Sequence, residues 1–418
     1  DGWCSSFEWK SLRFNDDDSA YLSRTPSVEG NRKTWTWSWW VKKGNIGTLQ
    51  NLISDRESLD NWETMLRFNT LDQLEWFYWN GWYSLDVKIA TDSVFRDTSS
   101  WYHIQFIQDT TLSTWSDRVK IYVNGIKQKV SLTNSVGSGY ILQNIETDFN
   151  NIEEMVIGGW RRKGGPYEYL FDGYLSDVNF IDWQALTPTS FGQTVWWKWI
   201  PKDYTWTYWT NWFNLDFGNE AALWADTSEN GNNWTVNNID ATDQMLDMPD
   251  NNFATWDPLD NGVSNTEWNL KTTGNTNWDI THATMDVNSW KWYWEEYIPE
   301  LNLDYNFWIA KSIENTNLSW EWVIVLEAYN PWRIRFEWTY TILSDYPHAW
   351  DFYGLALDMD SEPKIFKVYR NNTLLYTQYL NNNFDIVSPA ISKYYTSTSL
   401  TNFGQWGQTG LTYYPESG

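Results

Sequence analysis

Apolar side chains recur at every second position in short stretches along this chain, a period that suits strands and not helices. Tyr102, Ile104 and Phe106 alternate with His103 and Gln105. Val119, Ile121 and Val123 alternate with Lys120 and Tyr122, and Asn124-Gly125 follows. That dipeptide is the sequence signal of a type I′ hairpin, so Ile126 should open the return strand. Similar short strands are predicted over 35–41, 66–68, 74–78, 155–157 and 174–181. Polar turns separate them at the spacing of an all-β sandwich.

Residues 193–262 read differently. Pro201, Pro249, Pro258 and a run of Asn, Asp and Thr between Asp226 and Asp243 suggest a loop-rich connector with a few strands, such as 213–217, and no core of its own. Strand patterns resume over 291–295, 306–310, 320–326, 352–358, 364–370 and 374–379, with Asn371-Asn372 as a hairpin turn. The expected organisation is a sandwich over 1–192, the connector over 193–262 and a second sandwich over 263–418.

The composition excludes several classes. A formal net charge of −25, from 54 acidic against 29 basic residues, repels phosphate backbones and anionic membranes, so nucleic-acid partners are not expected. No apolar run approaches the roughly 20 residues of a membrane-spanning helix, and no charged-then-apolar leader opens the chain, so a soluble protein without membrane insertion is expected. One cysteine, Cys4, precludes an internal disulfide, and three scattered histidines with it preclude a Cys/His zinc site.

Tryptophan is the anomaly: there are 35. Several follow Asp, Asn, Ser or Glu in turn-like contexts, as at Trp183, Trp212, Trp290 and Trp338. Turns favour glycine there, because glycine reaches positive φ without a Cβ penalty. One reading is that a subset stands where the natural protein has glycine, through a UGA codon decoded differently. The other is an aromatic-rich binding protein that stacks on sugars.

Residues 11–192 resemble the laminin-G-like branch of the concanavalin A-like lectin fold. The resemblance is carried by Ser11-Leu12-Arg13-Phe14, Trp35-Thr36-Trp37-Ser38, Trp101-Tyr102-His103-Ile104, the run from Asp117 to Gly125, and the run from Phe171 to Phe180. The wording of these motifs, with Ile200-Pro201-Lys202 and Asn230-Gly231-Asn232-Asn233-Trp234 in the connector, is similar to surface proteins encoded by bacteriophages. In such proteins the second half is a SPRY-like sandwich. Lys291-Trp292-Tyr293-Trp294-Glu295, the run from Gly354 to Asp360, and Asn402-Phe403-Gly404-Gln405 resemble its strands. The implied fold class is all-β, with two antiparallel β-sandwich (jelly-roll) domains. The resemblance also leads one to expect glycine at Trp39, Trp82, Trp183, Trp206, Trp209, Trp212, Trp224, Trp268, Trp290, Trp332, Trp338 and Trp350. By contrast, Trp35, Trp37, Trp40, Trp101, Trp234, Trp292 and Trp294 fall on aromatic positions of the family and are core candidates.

No grouping reads as catalytic. The histidines His103, His282 and His348 sit in unrelated contexts, so a serine-type triad is not expected. Asp358 with Asp360, and Glu295 with Glu296, are the acid pairs with a glycosidase-like spacing, and a turn is the favoured reading of the first. Asp16, Asp17 and Asp18 form the densest acidic run and are the candidate calcium ligands; a polar turn is favoured over that reading. The small basic loop Trp160-Arg161-Arg162-Lys163 reads as a hairpin tip. The resemblance therefore implies a non-catalytic virion-surface protein of tail or fibre type, outside the cell, needing no cofactor unless calcium. It would bind host surface glycans or other virion proteins through sandwich loops, and could form homo-oligomers. The alternatives are a secreted or cell-surface bacterial carbohydrate-binding protein and a glycoside hydrolase of concanavalin-like fold.

Overall fold

The computed structural model describes residues 9–55, 62–80, 85–132, 141–161, 164–205, 210–259, 263–267, 269–274, 279–299, 305–311, 322–327, 333–336, 339–343, 348–380, 386–393 and 398–404. Cys4, Arg162, Lys163, Trp82, Trp206, Trp209, Trp268, Trp332 and Trp338 lie outside the described residues. The chain forms two compact units, Asp1–Asn252 and Phe253–Gly418. Both are built from antiparallel sheets, so the chain is all-β.

In the first unit one eight-stranded sheet runs Ile126–Lys127, Val119–Val123, Tyr102–Asp109, Thr34–Lys43, Gly173–Asp182, Ser11–Phe14 and Gln244–Met245, with Phe213–Leu215 also pairing Gly173–Asp182. The other eight-stranded sheet runs Val130–Leu132, Leu85–Thr91, Leu74–Asn80, Trp62–Phe68, Gln50–Asp55, Met155–Ile157, Tyr21–Arg24 and Thr235–Asn237. The alternation read from the sequence sets their facing. Trp35, Trp37, Trp39 and Val41 of one sheet join Leu66, Phe68, Leu74, Trp76 and Tyr78 of the other in a single apolar core. Aromatic pairs inside it meet edge to face, as Trp37 does with Trp39 at 5.6 Å between ring centroids.

The hairpin turns obey local chemistry. Asn124 and Gly125, with φ of 49° and 77°, link Val123 to Ile126. Asn371 and Asn372, with φ of 45° and 65°, link Arg370 to Thr373. Two-residue loops with positive φ at both central positions match the right-handed twist of the strands they join, and asparagine reaches that region more readily than most residues.

The stretch expected as a connector over 193–262 does not stand apart. Its strands Phe213–Leu215, Thr235–Asn237 and Gln244–Met245 extend the two sheets of the first unit. Trp212 packs with Ile181 and Phe191 in a small buried cluster. The reason is visible on the central strands: Thr36, Ser38, Trp40 and Lys42 point away from the core yet are all buried. The side chain of Thr36 donates to the carbonyl of Gln184 at 2.7 Å, and that of Gln105 to the carbonyl of Leu186 at 3.0 Å. Lys42 Nζ donates to Asp247 Oδ2 at 2.7 Å and to Asn252 Oδ1 at 2.8 Å. The other oxygen of Asp247 accepts the Trp101 indole N–H at 2.7 Å. Desolvation alone pushes the Lys42 pKa down, and the Asp247 carboxylate opposes that shift.

The second unit has a seven-stranded sheet, Ser264–Thr266, Lys271–Thr273, Thr398–Asn402, Lys291–Ile298, Asp351–Asp358, Lys364–Arg370 and Thr373–Leu380. Its partner is a six-stranded sheet, Asp279–His282, Val387–Lys393, Tyr305–Lys311, Trp322–Glu327, Arg333–Phe336 and Thr339–Ile342. Trp294, Ile298, Leu355, Leu357, Phe366 and Val368 of the first sheet share a core with Phe307, Ile309, Leu326 and Ile391 of the second.

The buried Lys42–Asp247 pair and an exposed pair should respond differently to truncation. Asp247→Ala strands a buried ammonium and an indole N–H, and should cost the first unit about 3–5 kcal/mol. Lys129→Ala removes an exposed, solvent-screened partner of Asp92 and should leave the unfolding midpoint unchanged within error. Urea unfolding of the two variants checks both, and equal losses would contradict the assignment.

Candidate functional site

The residues singled out for chemistry are engaged elsewhere. His103, on Tyr102–Asp109, is fully buried. Its Nδ1 accepts the indole N–H of Trp199 at 3.0 Å. Indole is a donor only, so the ring proton sits on Nε2, which faces Ser38 Oγ at 2.9 Å. Ser38 and His103 thus touch as a nucleophile and base would. In a triad, however, Nδ1 donates to a carboxylate, and here it accepts from an indole. Burial pushes the His103 pKa down to about 3.

The acid pairs are turn and core residues. Asp358 Oδ1 accepts the backbone N–H of Asp360 at 3.0 Å and of Ser361 at 2.9 Å, and Asp360 Oδ1 accepts that of Trp290 at 2.7 Å. Glu295 and Glu296 are consecutive on one strand, so they point to opposite faces of the sheet. Glu296 accepts from the Thr401 hydroxyl at 2.8 Å and from that of Ser399 at 3.2 Å, and burial raises its pKa to about 7. Asp177 is likewise pushed up to about 7 by burial, while the side-chain amides of Asn179 and Asn214, each at 2.8 Å, hold it down.

Asp16, Asp17 and Asp18 occupy the turn between Ser11–Phe14 and Tyr21–Arg24. Asp18 Oδ2 accepts the Asn15 side-chain amide at 2.7 Å, and Asp16 Oδ2 accepts that of Asn45 at 3.0 Å. Burial, followed by the charge of Asp17, raises the Asp16 pKa. Among the described residues no group of three or more His, Cys, Asp or Glu is arranged to hold a metal ion. Arg161, at the basic hairpin, lies over the Tyr167 ring at 5.0 Å, and Trp160 is buried.

One sheet face carries the chemistry of recognition. On Leu74–Asn80, Leu74, Trp76 and Tyr78 enter the core, so Glu75, Phe77 and Trp79 face the other way. Phe77 and Trp79 are half-buried. The Arg67 guanidinium lies 4.6 Å from the Phe77 ring centroid and the Lys88 ammonium 5.4 Å from it. Arg67 Nε also donates to Glu75 Oε1 at 2.7 Å, which fixes the guanidinium beside the ring. The half-buried rings of Phe77 and Trp79 offer apolar faces for sugar C–H groups or an apolar side chain, with Lys88 as a donor beside them, while Glu75 is buried against Arg67 beneath. This platform was missed in the sequence because its members lie on three strands and meet only through register: Arg67 opposite Glu75, and Phe77 opposite Lys88.

The tryptophans separate by environment. Trp35, Trp37, Trp40, Trp101, Trp234 and Trp294 are buried, as expected of core positions. Trp292 is exposed instead: it shares the face of Trp294 but stands near the start of the strand, two residues from the turn, where that face is no longer covered. Of the positions where glycine was expected, Trp39 and Trp212 are buried, while Trp183, Trp224, Trp290 and Trp350 are exposed.

Compared with known proteins, residues 15–191 match the family described as the concanavalin A-like lectin/glucanases superfamily, of laminin-G type. No curated protein matches the chain. Among solved structures, the chain is similar to the SPRY domain of human HERC1 at 16% identity, covering 35% of this chain and 96% of that one, with a TM-score of 0.28. It is also similar to the heptameric SAP-like pentraxin from Limulus polyphemus at 19% identity, covering 43% of this chain and 78% of that one, with a TM-score of 0.31. The LG1-3 region of the laminin alpha2 chain is similar at 9% identity, covering 97% of this chain and 63% of that one, with a TM-score of 0.35. The laminin-G-like character of the first sandwich therefore rests on the family match, and the all-β class on the sheets themselves.

A histidine whose folded pKa is about 3, below its ordinary 6.5, favours folding in its neutral form. Its contribution is complete above about pH 6.5 and is lost as the pH falls toward 3. His103→Gln should flatten that limb of the first unit's stability curve by about 4 kcal/mol, read by urea midpoints between pH 7 and pH 3. Equal acid slopes for the two chains would contradict the locked neutral ring.

Proposed function

We propose that this chain is a non-catalytic recognition protein whose first sandwich binds carbohydrate or protein. Its concanavalin A-like, laminin-G-like fold is consistent with either ligand. The observation that carries the reading is the platform of Phe77, Trp79, Arg67 and Lys88 on the sheet face turned away from the core. The binding surface is thus a strand face, not the loops that the resemblance implies. The opposing sheet offers no equivalent, since its outer side is covered by 184–202 and 244–252.

The finer reading is that the ligand is a host surface glycan and the setting a virion surface. Its support is the resemblance of the motifs at Asp117–Gly125, Phe171–Phe180 and Asn230–Trp234 to phage surface proteins. Catalysis is not part of the reading, because the Asp358/Asp360 and Glu295/Glu296 pairs and the Ser38/His103 contact are all engaged within turns or buried layers. No cofactor is needed for a stacking platform, and calcium at Asp16 to Asp18 is not required.

A glycan array with the expressed chain tests the platform. Trp79→Ala and Phe77→Ala should each weaken binding by about 1–3 kcal/mol, roughly five- to 150-fold, with folding intact by circular dichroism. Unchanged binding in both would move the site elsewhere. Binding should also survive a calcium chelator, and a reducing-sugar assay on bound glycans should show no turnover. Labelling of intact particles with an antibody to the chain reports on the virion setting.

A further inference from the structure

Four tryptophans adopt a backbone conformation that their side chains disfavour: Trp183, Trp196, Trp290 and Trp350 have φ of 66°, 58°, 75° and 72°. Among the described non-glycine residues with positive φ, Asn is the commonest type and Trp the second. Asn reaches this region because its short polar side chain bonds the local backbone. An indole has no such compensation, and a bulky residue there is a genuine outlier. Packing supplies little compensation: Trp350 meets Tyr297 and Trp196 meets Trp197, each with ring centroids 6.4 Å apart, and all four residues stay mostly in solvent. The four side chains are 59%, 85%, 72% and 71% exposed. Other aromatics with positive φ are held by neighbours: Phe217 is buried, and Tyr169 stacks on Trp160 at 5.7 Å.

At each of the four positions the structure uses the backbone. Trp183 N–H donates to the Thr34 carbonyl at 3.0 Å, directly after Gly173–Asp182. Trp290 N–H donates to Asp360 Oδ1 at 2.7 Å, and its carbonyl accepts from Met359 N–H at 3.0 Å. Trp350 N–H donates to the Ile298 carbonyl at 2.7 Å. Trp196 is the first of two loop residues between Val195 and Lys198, and of the two only Trp196 has positive φ. That is a type II′ hairpin, whose first central position calls for glycine. Trp196 was not among the positions where the sequence alone led to glycine, so the backbone identifies it independently.

We propose that the protein made in its native cell carries glycine at positions 183, 196, 290 and 350. The four codons are UGA, decoded as glycine in that cell and as tryptophan in this sequence. One difference in decoding replaces every such glycine at once, which accounts for the strain at these turns and adds to the tryptophan total of 35. Trp39 and Trp212, buried on ordinary backbone, are not identified by conformation. The exposed indoles at the four turns are then not part of any glycan-binding surface.

The gene and the native protein test this directly. UGA at the four positions, with UGG at the core residues Trp35 and Trp37, is the expected result. Peptides from native material should be lighter by one indolylmethylene group at each of the four positions. UGG codons there, or tryptophan in the native peptides, would overturn the proposal. Stability supplies a second readout in the expressed chain. Trp183→Gly with Trp196→Gly should raise the folding equilibrium constant of the first unit on the order of tenfold, and Trp290→Gly with Trp350→Gly that of the second alike. Trp35→Gly, a core position, should lower it. A fall in both paired variants would overturn the conformational argument.

Discussion

Burial of the two central strands on both faces governs the first unit. Every residue of Gly173–Asp182, and all but the first of Thr34–Lys43, is buried. A sandwich alone covers one face of each sheet; the other face must be covered by something else. In this chain the covering layer is its own 184–252 stretch, and the polar side chains beneath it dictate how it attaches. A lysine without solvent demands a carboxylate, which Asp247 provides. A buried imidazole demands partners for both nitrogens, which Ser38 and Trp199 provide. The segment is long and poor in regular structure because it meets these demands one at a time.

That arrangement also sorts the molecule's surfaces by role. The covered sheet has spent its polar groups on internal bonds, so its histidine and serine are positioned but inaccessible. The opposite sheet keeps a strand face on which Phe77, Trp79 and Lys88 still meet solvent. Recognition needs such a preformed surface and little motion, whereas catalysis needs a group of shifted pKa that a substrate can reach. His103, Asp177 and Glu296 are shifted by burial itself and are closed off by it.

Local chemistry explains which parts were legible beforehand. The strands around Tyr102, Val119 and Leu74 follow from period-two alternation, and the turns at Asn124-Gly125 and Asn371-Asn372 from the φ those residues tolerate. The turn nature of Asp16 to Asp18 and of Asp358 to Asp360 was legible for the same reason. Trp292 was misread because alternation gives the relative facing of neighbours but not how far a sheet's cover extends. The platform at Phe77 was illegible because it needs the register of three strands.

The amino-acid order by itself determined an all-β chain, its hairpins, its negative charge and the excess of tryptophan, since each depends on neighbours a few residues apart. Tertiary structure alone decided that 193–252 closes the first sandwich, that Lys42 and His103 are sealed, and that four indoles sit exposed on strained backbone. The physical reason is distance along the chain. Lys42 and Asp247 are 205 residues apart and Trp199 and His103 are 96 apart, and no local pattern announces partners that meet only after both sheets have formed.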